Sequence, residues 1–101
     1  MVIIQREKIL ERVRNIVLGE IGDSNAKLYL FGSWARGEER RASDIDIAVD
    51  WPGGAPQGRL ARLREVLEES DVPFRVDVVD LSVAGESLVN KVSEEGVPWK
   101  G

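Results

Sequence analysis

The chain of 101 residues carries 14 Lys and Arg against 18 Asp and Glu, a net charge of −4, which fits one domain with a single core and argues against coating nucleic acid through phosphate neutralisation. No apolar run could span a bilayer, and MVIIQREKILERV alternates charged and apolar residues where a secretory signal needs an apolar core, so a cytoplasmic location is expected. Cys and His are both absent, which excludes disulfides, thiolate or imidazole metal sites and a His general base; any metal must sit on oxygen ligands.

Ile9, Leu10, Val13, Ile16 and Val17 recur at helical spacing between charged residues, predicting a helix over residues 4–20 that Gly22, Asp23 and Ser24 end. Lys27 to Phe31 (KLYLF) reads as a short strand running into Gly32. Residues 33–37 form one helical turn, and Glu38 to Ser43 a polar loop. Ile45, Ile47 and Val49 alternate with Asp44, Asp46, Ala48 and Asp50, the period of a half-buried strand, which Trp51-Pro52-Gly53-Gly54 terminates. Leu60, Leu63, Val66 and Leu67 mark a helix over 57–69, and Phe74 to Asp80 (FRVDVVD) a third strand. A last helix places Ala84, Leu88, Val89 and Val92 on one face, with Ser82 as its cap and Gly96 as its stop. This order predicts an α/β (α+β) architecture, a small mixed sheet of about three strands covered by helices on one side, with residues 1–101 as one domain.

The stretch GSWARGEERRASDIDIAVD, residues 32–50, concentrates the chemistry. Its glycine spacing imitates a P-loop, but Glu38 and Glu39 stand where Lys and Ser or Thr are needed. No third glycine completes a dinucleotide fingerprint, and Ala48, with no glycine after it, fails the calcium-loop template. What remains is a strand that puts Asp44 and Asp46 on one face, about 7 Å apart. Their mutual repulsion is reversed by a divalent metal pair. Gly32 permits close approach of a phosphate, and the free N–H groups of Ser33 and its successors open an anion site. Arg36 either contacts phosphate or pairs with Glu38 or Glu39. Arg40 and Arg41 read as a solvated loop. Trp34, Trp51 and Trp99 read as packing residues, Trp34 being the best placed to touch a nucleotide or partner.

GSxARG at 32–37, SDIDIAV at 43–49 and VDVV at 76–79 together resemble the DNA polymerase beta-like nucleotidyltransferase superfamily, in particular its minimal nucleotidyltransferase (MNT) branch. The resemblance covers essentially the whole chain. It implies that Gly32 and Ser33 hold the β and γ phosphates of a nucleoside triphosphate, that Asp44 and Asp46 bind two magnesium ions, with manganese able to substitute, and that Asp77 is the third carboxylate. Strand parity favours Asp77 over Asp80, which points to the opposite face, and puts Arg75 on the face of Asp77. The implied activity is transfer of a nucleoside monophosphate, AMP from ATP, to a hydroxyl of a partner protein. Stand-alone MNT proteins resemble the antitoxin half of two-gene modules whose other member is a HEPN-type ribonuclease toxin. About 100 residues leave no room for an acceptor-binding domain beside the sheet and its helices, so a partner is expected to supply the acceptor. The alternative is a catalytically idle module that blocks its partner by complex formation. Neither membrane nor direct nucleic-acid binding is expected.

Overall fold

The helical spacing of Val13, Val17 and Ile21 produces the first helix, α1 (Val2–Ile21), which buries those three side chains completely. The computed structural model describes residues 2–22 and 24–100; Asp23, part of the expected break after α1, lies outside the described residues. Ser24 closes the helix, its hydroxyl donating to the Ile21 carbonyl at 2.7 Å. The following elements are β1 (Lys27–Phe31), α2 (Ser33–Arg36), β2 (Ile45–Asp50), α3 (Arg59–Glu68), β3 (Val76–Asp80), α4 (Glu86–Glu95) and β4 (Val97–Lys100).

The strands form one sheet in the order β3-β2-β1-β4. β1 pairs antiparallel with both β2 and β4, whereas β2 and β3 run parallel because α3 carries the chain back between them. The fourth strand, VPWK, lies beyond the three that periodicity predicts. Pro98 cannot donate to a ladder, and an edge strand is where a sheet tolerates it. β4 is tied down further by Lys100, whose Nζ donates to the carbonyls of Ser24 and Ala26 at 2.6 and 2.7 Å.

Side-chain alternation sorts the strands onto two faces. Leu28, Leu30, Ile45, Ile47, Val49 and Val78 bury one face against Val13, Val17 and Ile21 of α1 and Leu63 and Leu67 of α3. Phe31 and Ala48 bury the other with Val92 of α4, flanked by Tyr29, Val79 and Leu88. The helices therefore cover both faces, not one, because Leu88 and Val92 need an apolar surface that α1 and α3 do not offer. Nor does Ser82 cap the last helix. Gly85 occupies that place, and the backbone N–H and hydroxyl of Ser82 both donate to Asp80 Oδ1, at 2.9 and 2.6 Å, making a turn after β3.

Candidate active site

The site is built where β1 turns into α2. Gly32 adopts φ 77°, ψ −159°, a conformation open essentially to glycine alone. A Cβ at this position would overlap Oδ2 of Asp46 and lie 3.1 Å from its Cγ. The backbone thus passes directly against a carboxylate, which only a residue without a side chain allows. The Gly32 carbonyl accepts from the amides of Ala35 and Arg36 at 3.1 and 3.2 Å. The amides of Ser33 and Trp34 precede this first closed turn, so the helix offers them no carbonyl.

The loop that follows is pinned at several points. The Gly37 residue takes a left-handed conformation (φ 72°, ψ 22°) and its amide returns to the Ser33 carbonyl. Arg40 donates its amide to Ser43 Oγ at 2.8 Å while the Ser43 amide donates to the Arg40 carbonyl at 2.9 Å. The Trp34 indole reaches the Ser43 carbonyl at 3.4 Å. Trp34 itself is buried, with Phe74 edge-on at 5.0 Å; it packs and supports the loop. Asp44 emerges exposed from this turn at the start of β2.

Parallel pairing then sets Asp46 directly beside Asp77, and antiparallel pairing sets Asp46 opposite Phe31, the last residue of β1. Asp77 and Arg75 line a common surface cavity of about 620 Å³ along β3. Asp80, opposite Val49, has the other parity and is engaged with Ser82. Burial pushes the Asp46 carboxyl above the ordinary carboxylate range; the neighbouring charges of Asp77, Asp44 and Glu95 push the same way, and Lys91 partly offsets them.

Arg36 is held by two carboxylates: Nε donates to Glu38 Oε1 at 2.8 Å and Nη1 to Glu95 Oε2 at 2.5 Å. Glu38 is one of the partners expected for it. Glu39 instead accepts from Arg6 Nε at 2.7 Å, and the same guanidinium donates to the Trp34 carbonyl at 2.5 Å. Arg6, Lys91 and Glu95 did not emerge from the sequence motifs. Only the i, i+4 spacing of Lys91 and Glu95 is legible locally; Arg6 and Glu95 reach their partners across 28 to 59 residues.

Among the described residues, no group of three acidic side chains is arranged to hold a metal ion as it stands. The donor chemistry nevertheless fits a hard divalent cation: the oxygens are carboxylate, two like charges are paired across strands, and the more buried one resists ionisation without a counter-charge. No helix of the described residues is long and apolar enough to cross a membrane.

This combination of glycine turn, carboxylate-bearing strand and paired third carboxylate describes a phosphate-handling α/β domain. The family described as "Polymerase beta, Nucleotidyltransferase" matches residues 20–98, and the chain belongs to it, within the minimal nucleotidyltransferases. A Shewanella oneidensis relative named "Protein adenylyltransferase MntA" is 39% identical over 72 residues, covering 68% of this chain and 49% of that protein. With 54% of a Haemophilus influenzae relative also covered, the chain spans about half the length of these curated relatives. A solved toxin-antitoxin complex with AMP-PNP superposes with a TM-score of 0.72 at 32% identity, covering 87% of this chain and 73% of that one. A structure described as a minimal nucleotidyltransferase superposes with a TM-score of 0.73 at 34% identity, over 92% of this chain and 94% of that one.

Proposed function

We propose that residues 1–101 act as one minimal nucleotidyltransferase domain that moves AMP from ATP to a hydroxyl of a partner protein, the hydroxyl oxygen bonding to the α-phosphorus as the bond to the β-phosphate breaks and pyrophosphate leaves, as the cytoplasmic antitoxin of a HEPN-type ribonuclease toxin. The observation that carries this reading is the register of Asp46 against Asp77 beside a turn only glycine can make. The name of the Shewanella relative and the AMP-PNP complex of a similar toxin-antitoxin pair support it.

Asp44, Asp46 and Asp77 are the residues that would hold magnesium or manganese; two such ions, when bound, neutralise the triphosphate and acidify the attacking hydroxyl. The chain's own groups do the rest. Amides of Ser33 and Trp34 bind the terminal phosphates, with Gly32 giving them clearance and Arg36 adding a cation. Asp77, on the outer side of Asp46, orients the acceptor hydroxyl and takes up its proton. Positioning and charge stabilisation supply most of the catalysis.

Incubating the chain and its toxin with ATP and magnesium tests the proposal by mass spectrometry. The toxin is expected to gain the mass of one or more AMP groups and to stay inactive after the two proteins are separated, and Asp44→Asn to abolish both. A toxin neutralised equally well by Asp44→Asn, with no added mass in the wild-type reaction, would establish the binding-only alternative.

A further inference from the structure

We propose that Lys91 is a second phosphate-binding cation of this site, held at it by Glu95; the inference rests on the nucleotidyltransferase reading and adds a residue to it. Helix α4 packs on the face of the sheet that carries Asp46. Its Leu88 and Val92 sit with Phe31 and Ala48. Phe31 is the register partner of Asp46 and precedes Gly32, and Ala48 follows Asp46 on the same face of β2. Lys91 adjoins Val92, so its helix overlies the strip where β1 becomes the phosphate turn.

Glu95 gathers two cations there. Its Oε2 accepts from Arg36 Nη1 at 2.5 Å and its Oε1 faces Lys91 Nζ at 3.9 Å. The Glu95 side chain is only 18% exposed, against 41% for Arg36 and 52% for Lys91. A largely buried carboxylate therefore fixes Arg36 by a hydrogen bond and keeps Lys91 beside it, and the outer sides of both cations remain open to a ligand.

The Lys91–Glu95 contact does little for the fold. It is long for an ion pair, lies on a helix surface, and places Lys on the N-terminal side of Glu, the weaker orientation for an i, i+4 pair. Charge balance gives Lys91 a different task. A nucleoside triphosphate brings roughly four negative charges near neutral pH, and Asp44, Asp46 and Asp77 bring three more. Two divalent ions leave about three of these charges uncompensated; Arg36 is already shared between Glu38 and Glu95, which makes Lys91, the more exposed of the two cations, the one freer to turn to a phosphate. A Lys ammonium suits the role because it is a compact point charge on a flexible stem.

Calorimetry with ATP and with AMP, both with magnesium, on wild type, Lys91→Gln and Lys91→Arg tests the assignment. Lys91→Gln should weaken ATP binding about tenfold, the scale of one charged hydrogen bond, while AMP affinity stays within about twofold. Lys91→Arg should restore most of the ATP affinity, and thermal unfolding of both variants should match wild type. Unchanged ATP affinity in Lys91→Gln overturns the inference alone, as does an equal loss for ATP and AMP. Absence of ATP binding by wild type overturns the nucleotidyltransferase reading and this assignment with it.

Discussion

Asp46 is where the demands of folding and of chemistry diverge most. Burial and three acidic neighbours raise its proton affinity, so the folded chain keeps a proton on it at a pH where the unfolded chain, with a carboxyl near 3.9, has lost it. The folded state then binds more protons, and stability falls as pH rises from about 4 through the raised folded value. Above that value the penalty is fully present. Asp46→Asn removes it and is expected to be as stable as wild type or more so at pH 7, by up to about 1 kcal/mol, the scale of a like-charge cross-strand pair. The difference should shrink toward pH 4. Urea unfolding at both pH values measures it, and an Asn variant that is clearly less stable at pH 7 would show that the carboxylate has a structural role. Gly32, Ser33, Asp44 and Asp46 stand out in the sequence because they fall within 15 consecutive residues, whereas Asp77 is marked by the family resemblance, alternation serving only to prefer it over Asp80. The link from Arg36 to Glu95 left no such trace, since it joins two helices whose meeting depends on the whole sheet.

Elements were legible wherever their period was long enough to read. α1 and α3 repeat their apolar residues over several turns, and β2 alternates cleanly. VPWK is only four residues long and contains Pro98, so nothing local marks it as a strand; the free edge of β1 makes it one. At this scale the loop before Asp44 depends on α1. Arg6 ties Glu39 and the Trp34 carbonyl together and lies 5.9 Å from the Trp34 ring centre. Glu39 Oε1 is buried without a partner, so its charge relies on Arg6. Arg6→Ala is expected to cost about 1–3 kcal/mol by stranding that carboxylate, and adding Glu39→Gln should recover part of the loss. A double-mutant cycle by urea unfolding reads the coupling; strictly additive losses would mean that the two side chains act independently.

The molecule as a whole presents its acidic cluster only when the sheet is assembled, because Asp77 meets Asp46 through strand pairing across 31 positions of sequence. A divalent cation that recognises the cluster binds the folded chain and not the unfolded one. Magnesium or manganese should therefore raise the unfolding temperature, by the equivalent of about 2.7 kcal/mol at a hundred times its Kd, and Asp46→Asn should abolish the gain. Thermal scans with metal and with EDTA decide it, and identical midpoints for the wild type would count against metal binding by these carboxylates. The mixed sheet was legible from the order of elements, whereas the presence of helices on both faces was not, since periodicity says that a helix has an apolar side but not which side of a sheet receives it.

The parallel pairing of β2 with β3 has an evolutionary corollary. The gap between the carboxylates of Asp46 and Asp77 is measured out by the spacing of neighbouring strands, roughly 4.8 Å in any sheet, and not by the connections that lead into and out of α3. Residues 52–58 and 69–71 can accordingly lengthen, shorten or change composition across descendants of this chain while the distance between its acids stays the same. Variation can accumulate in those connections, where a new partner could be met, without recalibrating the chemistry beneath.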